Sequence, residues 1–194
     1  GWGAKTQKTG RGTDRKGKKM CKIYYEGRWY EEKEVEENIM EYRAKISGLG
    51  IQPEEVTGLY LKRDAQMLFL IFALYDMGIA FLPLDIHVPK QRNDSIIRKA
   101  GVTRVLADMA CDLDAEVVRV ELLEHRTEEH MTDSPVAYCI ATSGTTGTPK
   151  IVQTGRRAFE FWMQDYAEFL KLKGAGSILC MSEYMFDMFM IESL

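Results

Sequence analysis

Four cysteines, Cys21, Cys111, Cys139 and Cys180, are scattered along the chain, and no two form a Cys-x-x-Cys pair. That spacing excludes a disulfide-framed miniprotein and gives zinc no ligand set. Reduced thiols in a cytosolic, cytoplasmic protein are the simplest reading. His87, His125 and His130 share no metal-ligand spacing, so no metal site is expected. No apolar run is long enough to span a bilayer. The longest, Met67 to Ala80, is interrupted by Tyr75-Asp76 and reads as a buried helix. The basic N-terminus is followed by no apolar stretch, so a secretory signal is not expected. With 194 residues, 45% hydrophobic and 28% charged, the chain has the composition of one globular domain or slightly more. Wholesale disorder and collagen are excluded on the same ground.

Charge is unevenly spread. Residues 1–19 carry seven Lys/Arg and one acid, Asp14, a net +6 that leaves −9 for residues 20–194 against a whole-chain −3. Trp2 is the single large apolar residue of this leader, which cannot build a core. It reads as a disordered basic leader, with Met20 as a natural start, or as an arm for an anionic partner. No helical period or aromatic platform supports the arm. The acidic remainder offers no basic face, so neither nucleic acid nor membrane is an expected partner.

From residue 20 onward, strand and helix patterns alternate. Glu26-Gly27 between two aromatic-rich triplets predicts a hairpin. Val35, Ile39, Tyr42 and Ile46 predict a helix over 31–47, stopped by Gly48 and Gly50. Val56–Leu61 reads as a strand, and a helix capped by Asp64 follows, stopped near Gly78. Ala80–Leu84 is a strand, Pro89–Lys99 a helix, and Thr103–Leu106 and Val117–Leu122 are strands. His125–Ser134 is a polar loop whose histidines are expected in solvent. Val136–Ala141 and Lys150–Thr154 are strands, and Arg156–Leu170 is a helix with Phe159, Trp162, Tyr166 and Leu170 on one side. Tyr75 and Trp162 are core candidates. Ser177–Met181 is a further strand, with a helix from Phe186. The alternation predicts an α/β fold of layered sheets flanked by helices.

The segment with most chemistry runs from Tyr138 to Lys150, YCIATSGTTGTPK. An apolar strand delivers a loop with two glycines, Gly144 and Gly147, among the hydroxyls of Thr142, Ser143, Thr145 and Thr146, and Lys150 follows. Glycines let backbone N–H groups curl toward an anion. Hydroxyls add donors and the lysine adds charge, which suits a triphosphate. The Walker pattern is absent, since no Gly-Lys-Ser/Thr closes the loop. A plain Ser/Thr/Gly surface loop is the other reading of such a cluster.

SGTTGTPK resembles the phosphate loop of the adenylate-forming superfamily, which contains peptide-synthetase adenylation domains, acyl-CoA synthetases and luciferases. Three further segments agree in order and spacing. Tyr75–Asp85, YDMGIAFLPLD, is similar to the family's LKAGxAYVPLD. Arg28-Trp29-Tyr30 with the helix after it resembles the start of the domain. Met185–Glu192, MFDMFMIE, is similar to the FDxSxxE segment of amino-acid-activating members. The resemblance covers residues 22–194 and implies the N-terminal portion of the adenylate-forming fold.

The resemblance implies Mg-ATP-dependent activation of a carboxylate, with release of pyrophosphate and transfer of the acyl group to a thiol, commonly a phosphopantetheine arm on a carrier protein. Thr142, Ser143, Gly144, Thr145, Thr146, Gly147 and Lys150 would hold the phosphates, with Thr145, Thr146 and Lys150 acting on the reacting group. Asp187 would pair with a substrate α-ammonium, while Met188 and Ile191 line the side-chain pocket; a helix cap is the other reading of Asp187. An amino-acid substrate follows from the first of these. An acyl-CoA or aryl-acid synthetase, or a non-catalytic nucleotide-binding remnant, is the alternative. Ile151 replaces the usual glycine, Gln153-Thr-Gly-Arg-Arg lacks the usual histidine, and Phe189 stands where serine is common. The family's adenine-binding segment, metal-coordinating glutamate, hinge and C-terminal subdomain have no counterpart before Leu194. The expectation is therefore a truncated or split adenylation domain, inactive or nearly so alone, with surface left for the missing half or for self-association.

Overall fold

The structure is a computed structural model, and it describes residues 22–127, 130–143, 149–169, 180, 182–185 and 188–190. The chain opens with an antiparallel hairpin, β1 (Ile23–Tyr25) and β2 (Arg28–Tyr30), turned by Glu26 and Gly27, both at positive φ. Helix α1 (Glu32–Ser47) follows, with Val35, Ile39 and Ile46 buried as their spacing requires. Then come β3 (Val56–Tyr60), α2 (Ala65–Asp76), β4 (Ala80–Pro83), α3 (Lys90–Ala100), β5 (Arg104–Ala107) and β6 (Glu116–Arg119). The chain continues through β7 (Val136–Thr142), β8 (Lys150–Gly155) and α4 (Arg156–Phe169).

Six strands form one sheet in the order β6-β5-β3-β4-β7-β8. Pairing is parallel from β6 to β7, and β8 returns antiparallel to β7. Alternate residues feed opposite faces. Phe81, Leu106, Tyr138 and Ile140 join α1, α2 and Phe159 in the larger core. Leu82, Leu84, Val105 and Cys139 pack with Ile96 and Ile97 of α3 on the other side. Strands covered on both faces must be apolar throughout, which explains the unbroken AFLP of β4. Helix α2 is apolar almost all round because α1 and the sheet enclose it. Asp64 starts it by accepting the Met67 N–H at 2.8 Å, and Gly78 at φ +74° lets the chain reverse after it.

The predicted elements that fall on described residues form, with three corrections. The strand expected over Val117–Leu122 ends at Arg119, and Val120–Leu122 makes a turn of 3-10 helix that buries Val120 and exposes Leu122. Trp162 is not in the core. Helix α4 meets the sheet through Phe159, edge-on to Tyr75 and Tyr138, while Trp162 is 40% exposed and stacks on Tyr166 at 4.7 Å. His130 is half-buried rather than free in solvent. Its Nε2 lies 2.9 Å from the Ile51 carbonyl and its backbone N–H donates to Ser47 Oγ, pinning the loop to the end of α1. The basic leader, the strand predicted over 177–181 apart from Cys180, and Leu170 lie outside the described residues. A helical turn is present over 188–190. No helix among the described residues is long and apolar enough to cross a membrane.

Candidate functional site at the carboxyl edge of the sheet

Five parallel strands end along one edge, from which the chain leaves β3, β4, β5, β6 and β7. In open α/β sheets such an edge is where ligands bind, at points where neighbouring strands send their connections opposite ways. β4 and β7 are such a pair. β4 connects back over β3 to β5, whereas β7 turns outward into β8.

Pro83 shapes this point. In the β4–β7 ladder Phe81 pairs with Tyr138 and the pairing stops there. The next rung needs an N–H from residue 83, and proline has none. β7 is thereby released from β4 after Tyr138 and runs on as a two-stranded ribbon with β8. Its described end carries Thr142 and Ser143 from one strand and Pro149 and Lys150 from the other. Thr142 stands directly opposite Lys150 in the antiparallel register, so the hydroxyl and the ammonium stem lie on the same face within about 5 Å at Cβ. Thr142, Ser143 and Lys150 are exposed, and Pro149 is buried. Below the tip, burial pushes the Cys139 thiol up to about 11, so it stays neutral and packs as a small apolar group.

The base of the ribbon is clamped. The Arg156 N–H donates to Pro135 O at 2.8 Å. Its guanidinium donates to the carbonyls of Ser134 and Tyr75, at 3.3 Å and 3.1 Å, and lies 4.7 Å from the Tyr75 ring centroid. One side chain thus ties the start of α4, the approach to β7 and the end of α2. Arginine suits this because its planar fork serves several acceptors at once. Nothing in the local sequence singles out Arg156 from Arg157.

Of the expected phosphate-holding residues, the structure sets Thr142 opposite Lys150, and exposed Ser143 follows Thr142 in the chain. Gly144, Thr145, Thr146 and Gly147 lie outside the described residues, as do Asp187 and Ile191. Met188 is 46% exposed, beside the fully buried pair Phe189 and Met190. Sequence reasoning missed Tyr184, whose buried hydroxyl bonds the ends of two strands. The signal was slight: one tyrosine after the polar pair Ser182-Glu183, three residues before Asp187. Among the described residues no three His, Cys, Asp or Glu side chains are placed to hold a metal ion.

The AMP-binding enzyme family matches residues 11–194. The nonribosomal peptide synthetase sidE of Aspergillus fumigatus is 33% identical over 171 residues, a match that takes in 81% of this chain and 8% of that protein. The phosphinothricin tripeptide synthetase PhsC of Streptomyces viridochromogenes is 27% identical over 177 residues, or 84% of this chain and 16% of that one. The o-succinylbenzoate CoA synthetase (MenE) of Bacillus subtilis, solved with its acyl-adenylate intermediate, superposes with a TM-score of 0.65 at 19% identity, covering 75% of this chain and 41% of that one. The chain thus spans less than half the length of these proteins. With the family model matched over residues 11–194, nearly the whole of this chain, the chain belongs to the AMP-binding enzyme family.

Proposed function

We propose that this chain supplies the phosphate-handling part of an ATP-dependent ligase that activates an amino acid as its aminoacyl-adenylate and passes it to a carrier-protein thiol on a phosphopantetheine arm. One observation carries the proposal: Thr142 and Lys150 face each other at the tip of the β7–β8 ribbon, at the edge where an α/β sheet takes ligands. The peptide-synthetase relatives favour an amino-acid substrate and a carrier partner.

In the reaction a substrate carboxylate oxygen attacks the α-phosphorus of ATP. A bond forms between them, the bond to the bridging oxygen breaks, and pyrophosphate leaves with that electron pair. The chain contributes position and charge rather than covalent chemistry. Thr142, Ser143, Thr145 and Thr146 donate hydroxyls to the β- and γ-phosphates, and Gly144 and Gly147 leave room for backbone N–H groups. Lys150 neutralises charge that grows on the leaving pyrophosphate. Magnesium, when bound with ATP, supplies further charge neutralisation; a MenE structure holds both ATP and magnesium. The hydroxyls and ammonium of the ribbon fit the triphosphate, and no residue here is assigned to the metal. Asp187 receives the substrate α-ammonium, with Met188 and Ile191 beside the side chain. The scattered cysteines agree with a cytoplasmic location.

The acyl-CoA or aryl-acid synthetase is the second reading, favoured by the MenE likeness. Substrate-dependent ATP–pyrophosphate exchange separates the two, run on the full-length protein with amino acids and amine-free acids. Exchange with one amino acid, lost in Asp187→Ala, supports the proposal. Exchange confined to amine-free acids and unaffected by Asp187→Ala contradicts it.

A further inference from the structure

The ladder between β3 and β4 ends in an unusual way. Leu59 pairs with Pro83, and the Leu84 N–H donates to the Leu59 carbonyl at 2.8 Å. In a parallel ladder the next rung runs from the Leu61 N–H to the Leu84 carbonyl. Both groups instead bond the Tyr184 hydroxyl, which accepts from Leu61 N at 3.3 Å and donates to Leu84 O. The phenol occupies the place of the missing rung, and the two strands part around it. Tyr184 is 2% exposed, and Phe189 meets its ring edge-on with centroids 6.4 Å apart. Phe189 and Met190 are buried in the same core as α2. Arg63, just beyond β3, donates to the Cys180 carbonyl at 2.9 Å.

The described contacts therefore fix the chain on both sides of Asp187: Tyr184 before it and Phe189-Met190 after it. A tyrosine costs more to bury here than an apolar ring, because its hydroxyl must find partners. A phenylalanine would pack in the same space. The hydroxyl's distinct contribution is to hold one segment to one point of the sheet edge.

We infer that Tyr184 is a positioning residue: its hydroxyl, standing in for the last β3–β4 rung, holds residues 184–185, and with Phe189 and Met190 residues 188–190, against the carboxyl edge, so that the amino-acid affinity proposed for Asp187 depends on it. The inference rests on the proposed role of Asp187 and goes beyond it, since Tyr184 touches no substrate. Without the hydroxyl, Leu61 N–H and Leu84 O are free to bond each other, and the strands close at the expense of the segment.

The test compares wild-type, Tyr184→Phe and Asp187→Ala full-length protein by ATP–pyrophosphate exchange. The amino-acid KM, the ATP KM and the inhibition constant of the amine-free analogue of that amino acid are measured for each. Thermal unfolding confirms that the Phe variant folds. The amino-acid KM is expected to rise roughly tenfold in Tyr184→Phe, with ATP KM and the amine-free inhibition constant moving less than about twofold. A rise of all three together means a purely structural tyrosine and overturns the inference. So does an amino-acid KM that stays at the wild-type value while Asp187→Ala raises it. If Asp187→Ala leaves amino-acid activation intact, the role of Asp187 itself has failed, and the inference falls with it.

Discussion

Gly78→Ala should be among the most damaging small substitutions in the chain, for two reasons that can be separated. Gly78 ends α2 at φ +74°, a conformation in which a Cβ costs roughly 1–2 kcal/mol. A Cβ there would also press into the Thr132 carbonyl, far inside van der Waals contact, and stand 2.9 Å from its carbon. The obstacle is backbone and is itself bonded: Thr132 N–H donates to Met77 O at 2.9 Å, and Ser134 N–H to Gly78 O at 3.0 Å. Moving it weakens two hydrogen bonds worth about 1 kcal/mol each. The sum is about 3–4 kcal/mol. Gly101 is the control, because it ends α3 at φ +67° with nothing within 4 Å of an added Cβ. Gly101→Ala should cost only the backbone share, about 1–2 kcal/mol. Urea unfolding measures both, and the midpoint should fall further for Gly78→Ala at an unchanged slope. In thermal unfolding its drop should be about 10 °C for a chain of this size. Equal losses in the two variants would refute the role given to the Thr132 contact. The loop in question leads into β7, so the same variant should loosen the base of the ribbon.

Asp64 caps α2 but is partly desolvated, which raises its carboxyl above the usual range despite the Met67 N–H. Asp64→Asn keeps the cap and should be close to neutral, whereas Asp64→Ala should cost about 1 kcal/mol in urea unfolding. Burial pushes the Tyr42 phenol up to about 12. Its folded state therefore holds the proton after the unfolded chain has released it, so stability is full below pH 10 and is lost between about pH 10 and 12. Tyr42→Phe should flatten that part of the stability–pH curve, and an unchanged slope would contradict it.

Much of the fold was legible because local patterns and the global arrangement agree. The period of Val35, Ile39 and Ile46, the Asp64 cap and the stop at Gly78 each mark what the structure builds. What was not legible depends on distant partners. Trp162 lies on the same helical stripe as Phe159, and only the position of Tyr75 and Tyr138 decides which ring is covered. His130 sits in a polar run, and its bonds come from Ser47 and Ile51, far back in the chain. For the candidate site, the loop sequence marked Thr142 and Lys150, but their opposition follows from β-register. The effect of Pro83 on the β4–β7 ladder and the placing of Tyr184 between β3 and β4 follow from strand order, which no local pattern encodes.

The central claim is that the tip of the β7–β8 ribbon holds the triphosphate, and the affinity of the full-length protein for ATP tests it most directly. Lys150→Ala is compared with Lys33→Ala, which removes an exposed charge on α1. ATP dissociation should weaken roughly tenfold or more in Lys150→Ala, as expected for a lost charge-assisted phosphate contact, and stay at the wild-type value in Lys33→Ala. Wild-type affinity in Lys150→Ala, or equal weakening in both variants, would contradict the account.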